Sequence, residues 1–587
     1  MMHFQPSKLL TEDQWQYVQN EYLGYNQDEC IDLGSLDFVS VPDLIVAFFE
    51  TWTARIDRKV KATQLLTEKK YGELYRWLVY ERGFTYDEFL TLFDGDIEEE
   101  EYPYYPSYEF LQITTKEERK YLVNKYEKNV EGYCQLIQNC DLTGADFFLK
   151  RLKSQLPVSV LKKHCYISGK SGSGKSSLML SMFYHLQKLS DKKQNYSLVL
   201  IDPHGDLAEE VISLQLNQTN PDRLVYIDPC LSKGYTPVLN PFELKDKSDE
   251  AVELTAQMLV AVFEELLGEV GLTMYMSAVL FPCITTLLKM EGATLADLQT
   301  FMNDEHNKHL VDFALKHNNN PNHRRFFQTA FYDKMYEKTK LAIYTRTNSL
   351  LNTQLFYNAV VGKSTVDLEK EIDQGKVIVV NASKGRLGLQ ASSAFGRFVI
   401  ANLQSIAIRR ATKEKKYRKP CFCFIDECQN FLTKSVSIIL TEARKYGLHL
   451  LLANQTVSDL QQHKDNILNN TDVKLIGRNG NKSLAILARE TGVSVDKLLA
   501  LPKFAFYARV GDIQPFLFQS SPMLVKEQRG SGKYYMSKEQ LQKQKGYFLN
   551  KSGYYTQIKR STPDTSHHQP QQKGSGDDFV FTPKFDQ

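Results

Sequence analysis

The chain has 587 residues, 42% of them hydrophobic, with 72 Lys+Arg against 70 Asp+Glu and 9 Cys. That length leads us to expect two or three domains with sizeable cores, and the balanced charge excludes a global basic field, so any nucleic-acid contact must come from local basic surface. The cysteines form no pair of CxxC units, so neither a disulfide framework nor a zinc site is indicated, and a reducing compartment fits best. No apolar run reaches the roughly 18 to 20 residues that span a bilayer, and no basic segment followed by an apolar one opens the chain, so a cytoplasmic protein without an integral membrane segment is expected.

Residues 1–155 mix aromatic, acidic and helical-looking stretches, notably 41–56 and 116–140, with no catalytic motif. They read as a mainly helical accessory domain in which Cys134 and Cys140 are small buried hydrophobes. The acidic, tyrosine-rich stretch 94–108, with Pro103 and Pro106, reads as an exposed linker or as a docking site for a basic partner. From Lys163 onward, short β-branched or aromatic runs alternate with helical segments, the pattern of a parallel sheet covered on both faces. Strands are expected at 165–167, 197–201, 224–227, 377–381, 422–425, 448–453 and 473–476, with Cys421 and Cys423 as buried hydrophobes beside Phe422 and Phe424. Between 249 and 373 the strands stop, and Leu254, Met258, Leu259, Val262 and Phe263 recur at helical spacing, which predicts an all-α insertion domain. Residues 526–587 are polar and rich in Lys, Gln, Ser and Gly, and are expected to form a disordered tail with His567 and His568 solvated.

The strongest motif is Gly169-Lys170-Ser171-Gly172-Ser173-Gly174-Lys175-Ser176, followed by Ser177, a full match to G-x-x-x-x-G-K-[ST] placed between an apolar strand and a helical run. This is a nucleotide-binding P-loop. Its glycines let successive amides turn inward around phosphates, and the following helix adds its positive end. Lys175 is expected on the β- and γ-phosphates and Ser176 on Mg²⁺, so the cofactors are ATP and Mg²⁺. A P-loop needs an acidic partner at the end of an apolar strand beside its own, and Phe422-Cys-Phe-Ile-Asp426-Glu427 supplies one. Asp426 is assigned to the metal and Glu427 to the attacking water.

Gln455 closes the strand at 448–453, at the end where open α/β sheets place ligand-facing groups. Arg444 reads either as an arginine finger reaching a neighbouring subunit or as a surface arginine that complements a helix dipole; Arg478 and Arg346 are lesser candidates. In Asp202-Pro203-His204-Gly205-Asp206, His204 and Asp206 are either turn residues or neighbours of the nucleotide. The fold class is therefore α/β, a P-loop NTPase (RecA-like) with a parallel sheet core at 156–248 and 374–525, an all-α insertion domain at 249–373 and the N-terminal accessory domain. The basic run 409–419 reads as a solvated connector.

The order of the P-loop, Ile201 to Leu207, Val225 to Pro229 with Asn240-Pro241-Phe242, the helical interval, Val377 to Gly388, Ile425 to Phe431, Thr441 to Gly447 and Gln455 resembles the HerA/FtsK superfamily, most nearly the TraG/TraD-type coupling ATPases of conjugation and type IV secretion. The resemblance covers residues 155–525. It implies a homo-hexameric ring with ATP sites at subunit interfaces and DNA in the central channel. It also implies that Arg444, in its Glu-Ala-Arg-Lys-aromatic-Gly setting, is the arginine finger, that Gln455 is the sensor glutamine, that the all-α domain faces the relaxosome side, and that a relaxase or secretion-channel proteins are partners. Coupling ATPases of this type carry N-terminal transmembrane helices, in place of which this sequence has residues 1–155. The protein is therefore expected in the cytoplasm, recruited to the inner face of the membrane by a partner.

Lys384 and Arg386, which flank Gly385 after a strand, are the candidate DNA contacts. The expected activity is ATP-driven DNA translocation in conjugative or secretion transfer. The alternatives are a HerA-like DNA helicase working with a nuclease in end processing or phage defence, and a nucleotide-switched protein docking scaffold.

Overall fold

A computed structural model of the chain describes residues 30–37, 151–193, 195–267, 273–511, 515–520 and 534–558. Its strands are β1 (Cys30–Asp37), β2 (Arg151–Pro157), β3 (Cys165–Ser168), β4 (Ser197–Asp202), β5 (Leu224–Ile227), β6 (Tyr235–Thr236), β7 (Val377–Asn381), β8 (Cys421–Ile425), β9 (Leu448–Asn454), β10 (Val473–Ile476), β11 (Ala505–Val510), β12 (Phe516–Ser520) and β13 (Thr556–Gln557). Eleven of them make one sheet in the order β2-β1-β12-β11-β10-β3-β9-β8-β4-β7-β5. From β10 to β5 every pairing is parallel. From β10 to β2 every pairing is antiparallel.

The parallel strands are apolar along their whole length because both faces are covered. Alternation of side chains divides each strand between two cores. Phe422 and Phe424 of β8 face one core with Leu198 and Leu200 of β4, packed under the helix Lys175–Lys193. Cys421, Cys423 and Ile425 face the other with Val199 and Ile201, under the helix Leu389–Arg409. Burial pushes the Cys421 thiol up to about 11, so it packs as a small hydrophobe and not as a nucleophile.

Between β6 and β7 the described residues build helices alone, among them Asp249–Leu267, Thr273–Lys289 and Glu337–Leu351. Buried Leu254-flanking positions such as Val252, Leu259 and Phe263 seat this group on the helix Leu389–Arg409, with the Phe263 and Phe398 rings 5.5 Å apart. Among the described residues no helix is long and apolar enough to cross a membrane.

The structure departs from the sequence-based expectation in three places. β1 and β2, drawn from the stretch expected to be mainly helical, are strands that extend the sheet, since Ile31 and Leu33 share the core under the P-loop helix. The stretches 41–56, 94–108 and 116–140 lie outside the described residues. Within the expected disordered tail, 534–558 folds. Ser537 and Gln540 form a capping box that starts the helix Lys538–Asn550, and Tyr535, Phe548 and Tyr555 are buried against the sheet. Few apolar residues, widely spaced, do that work, so composition alone reads the segment as polar. Finally, the strand bearing Asp426 is not beside the P-loop strand: β9 lies between β3 and β8.

Candidate active site

β3 ends at Ser168, and the P-loop turns over its C-terminal end. Gly169 N donates to Asn454 O (3.3 Å) and Lys170 N to Arg478 O (2.8 Å), so the loop hangs from the ends of β9 and β10. Phe504 N donates to Ser173 O (2.8 Å) and closes the turn from outside. Gly174 has φ 100°, and a Cβ there would run into the Phe504 ring, so only glycine fits. Leu178 is the first amide after the loop to find a carbonyl, that of Gly174 at 2.9 Å. The amides of Gly174, Lys175, Ser176 and Ser177 therefore point into the loop at a helix N-terminus, where the aligned peptide dipoles favour an anion. The buried Ser173 hydroxyl has no hydrogen-bond partner among the described residues, a polar atom awaiting a ligand.

Lys175 crosses from the loop to β8. Its ammonium group bonds the Glu427 carboxylate and lies 3.4 Å from Asp426 Oδ1. All three side chains are at least 94% buried by surface. Burial raises the Asp426 carboxyl above its ordinary value, only partly offset by the Lys175 charge. Burial also opposes ionisation of Glu427, but there the Lys175 charge and three hydrogen bonds win and hold the carboxyl below its ordinary value. Those bonds come from Lys175, from Gln455 Nε2 to Oε1 (2.9 Å) and from Gln429 Nε2 to Oε2 (2.8 Å).

The intervening strand explains how Gln455 arrives there. Two strand spacings, about 10 Å, separate β3 from β8, and the Lys175 side chain bridges them above the end of β9. Tyr166 OH donates to Asn454 Oδ1 (2.7 Å) and Asn454 Nδ2 to Thr456 O (2.7 Å), so the last turn of β9 is fixed and Gln455 is delivered against Glu427. Sequence reasoning found Lys175, Asp426, Glu427 and Gln455, and the fold brings these four together. It missed Gln429, Asn430 and Asn454, whose only sequence signal is their place one to three residues from a motif.

Other candidates stand apart. Ser176 is exposed at the loop, and Arg478 is exposed just beyond β10 beside it. Arg444, in the 3₁₀ turn Ala443–Tyr446, is exposed, and its side chain has no hydrogen bond or ion pair among the described residues. That turn precedes β9, whereas Gln455 follows it, and the seven residues of β9 span about 20 Å. Arg444 is thus at the opposite end of the sheet from its own P-loop. Arg346 is within the helix Glu337–Leu351. Asp202 is buried and accepts from His204 N (2.8 Å) and Ala208 N (2.9 Å), so it caps the helix Asp206–Ile212, and His204 and Asp206 are exposed beside that turn. Lys384 is half-buried on Asn430 Oδ1 (2.7 Å), and Arg386 lies 3.2 Å from buried Asp228.

Residues 150–392 match the family model described as the central domain of helicase HerA, and residues 420–493 the model described as the TraM recognition site of TraD and TraG. Among solved structures, the chain is similar to the bacterial conjugative coupling protein TrwBdeltaN70 in its unbound monoclinic form, at 14% identity over 62% of this chain and 87% of that one, with a TM-score of 0.48. The plasmid coupling protein TrwB in complex with ADP and Mg²⁺ gives the same identity, coverage and TM-score. VirB4 of Thermoanaerobacter pseudethanolicus is 16% identical over 63% of this chain and 94% of that one, with a TM-score of 0.42. Comparison with curated proteins returns no match.

Proposed function

From the matches of residues 150–392 to the HerA central domain and of residues 420–493 to the TraD and TraG segment, we propose that this protein is an ATP-driven motor of the HerA/FtsK superfamily that moves DNA through a ring of identical subunits, in conjugative or secretion-associated transfer. The observation that carries the reading is the convergence of Lys175, Asp426, Glu427 and Gln455 beneath an amide-lined loop at one end of the sheet. Such a set has the parts that phosphoanhydride hydrolysis needs: an anion cradle, a mobile cation, a metal-binding carboxylate and a base.

ATP and Mg²⁺ fit the residues present. Four inward amides and the unpartnered Ser173 hydroxyl suit phosphate oxygens, and Ser176 with Asp426 are the two protein ligands that would hold the metal, which ordinarily takes few protein ligands beside the phosphates. When bound, the metal supplies positive charge on the phosphate oxygens. Lys175, now spent on Glu427, turns to the β- and γ-phosphates, and this removes one of the two donors on Glu427 Oε1, where Gln455 remains. Glu427 then accepts a proton from the attacking water, with Gln455 keeping its orientation. Arg444 of the next subunit neutralises the developing charge on the γ-phosphate. Its position about a strand's length from its own P-loop supports action between copies and therefore a ring.

A second reading rests on the match of residues 150–392 to the HerA central domain: a DNA helicase partnered by a nuclease. Steady-state ATP hydrolysis with and without single- and double-stranded DNA, alongside the mass in solution, tests the proposal. A hexamer strongly stimulated by DNA upholds it. Hydrolysis indifferent to DNA overturns it in favour of a nucleotide-switched protein docking role.

A further inference from the structure

Glu427, which is not a glycine, has a left-handed backbone, at φ 43° and ψ 53°. For a side chain branching from an L-residue this conformation persists only where neighbours impose it. Asn430 imposes it: its backbone N–H (3.0 Å) and its Nδ2 (2.7 Å) both donate to the Glu427 carbonyl. The other end of the same amide, Oδ1, accepts from Lys384 Nζ at 2.7 Å. A cation on the carbonyl side of an amide polarises it and strengthens donation from the nitrogen side. Lys384 in turn belongs to the turn after β7, anchored by its own N–H to Pro203 O (2.9 Å), and is half-buried as a residue.

One three-residue path therefore runs from a surface cation to the backbone of the residue assigned as base. In the geometry described, that base is held off its task, because both carboxylate oxygens accept from Lys175, Gln455 and Gln429. We propose that Asn430 is a positioning residue that couples capture of a phosphodiester backbone at Lys384 to release of Glu427. A phosphate oxygen, which carries full charge, outcompetes the neutral amide Oδ1 for the Lys384 ammonium group. Asn430 then loses its polarising partner, its hold on the Glu427 carbonyl weakens, and the carboxylate gains freedom to reach water. The inference rests on the motor reading above and adds how DNA occupancy is reported to the ATP site.

The test uses the full chain and compares ATP hydrolysis without DNA, with a linear duplex and with a single-stranded oligonucleotide. Lys384→Met removes the cation and keeps its stem; Asn430→Asp keeps the Lys384 contact but its side chain cannot donate to the Glu427 carbonyl, which retains only the backbone N–H of residue 430. Each is expected to raise the DNA-free rate roughly fivefold, the factor a single hydrogen bond is worth, and to bring the stimulation ratio towards one. Since both cut the same path, the double variant is expected to match either single one. Unchanged affinity for a fluorescent ATP analogue reports an intact fold. Additive effects, or a DNA-free rate that falls or stays level in both variants, overturn the path. Should the unmutated protein ignore DNA, the motor reading fails, and the DNA-free rates of the three variants still decide the path.

Discussion

The two ends of the parallel sheet are built on opposite electrostatic plans. At the C-terminal ends, Lys175, Asp426 and Glu427 are buried together and satisfy one another, an arrangement that a bound phosphate can take over. At the N-terminal ends, Arg444 is exposed without an ion pair among the described residues. Beneath it His164 and His449 are buried, with ring centroids 6.3 Å apart. His164 Nδ1 accepts from Leu450 N (2.8 Å), and its Nε2 has no partner among the described residues. One end is thus closed on itself by buried ion pairs and the other leaves a charge exposed. The head-to-tail ring proposed above would let both be used.

The comparison is broken most severely at the ligand end. Glu427→Gln is expected to lower hydrolysis roughly 10²- to 10⁴-fold while ATP still binds, the range for loss of a general base; Lys175→Ala is expected to lose binding as well. A nucleotide-affinity measurement beside turnover separates the two, and unmutated turnover in Glu427→Gln removes that residue from the mechanism. At the other end, Arg444→Ala is expected to cost roughly 10³-fold in turnover with affinity for ATP unchanged. Mixing Arg444→Ala with Lys175→Ala subunits should restore some sites, which titration of mixed rings detects, and no recovery at any ratio counts against action between copies.

A smaller effect sharpens the contrast through pH. Burial, the Arg444 charge and, against them, Asp472 hold His164 down to about 4, and burial with His164 and Lys162 holds His449 down to about 3. An unfolded histidine titrates near its ordinary value, about 6.5, so below that pH the unfolded chain binds the extra protons and stability falls. The loss for His164 is on the order of 3 kcal/mol between about pH 6.5 and pH 4. Denaturant titrations from pH 7.5 downward should show it, and His449→Phe, which suits a ring packed 5.3 Å from Phe422, should flatten part of the slope. The smallest effect is expected for Tyr166→Phe, which leaves the buried Asn454 Oδ1 without its donor at about 1 kcal/mol of stability. Hydrolysis in that variant should fall only as far as Gln455 loosens.

The legible parts of the site are those whose chemistry is written in adjacent residues. A P-loop is a local device, since its glycines, lysine and hydroxyl act within eight residues of backbone, and Asp426-Glu427 follows an apolar strand that any reader can see. The insertion of β9 between β3 and β8 was not legible, because strand order is set by helix packing on the two faces and leaves no mark on a single strand. Asn430 was missed for a related reason: an asparagine three residues after a carboxylate has meaning only once Lys384 reaches it from 46 residues away. The folded segment 534–558 was missed because its buried Tyr535, Phe548 and Tyr555 are too sparse to give a period.

By itself, then, the sequence determined the phosphate cradle, the acidic pair, the seven apolar strands and the helical interval, all properties of short stretches governed by side-chain period and turn chemistry. Only the tertiary structure decided that Lys175 and Gln455 meet on Glu427, that Arg444 is out of reach of its own P-loop, and that Lys384 touches the backbone of Glu427 through Asn430. Those are contacts between residues far apart in the chain, and burial of the two faces of one sheet fixes them together or not at all.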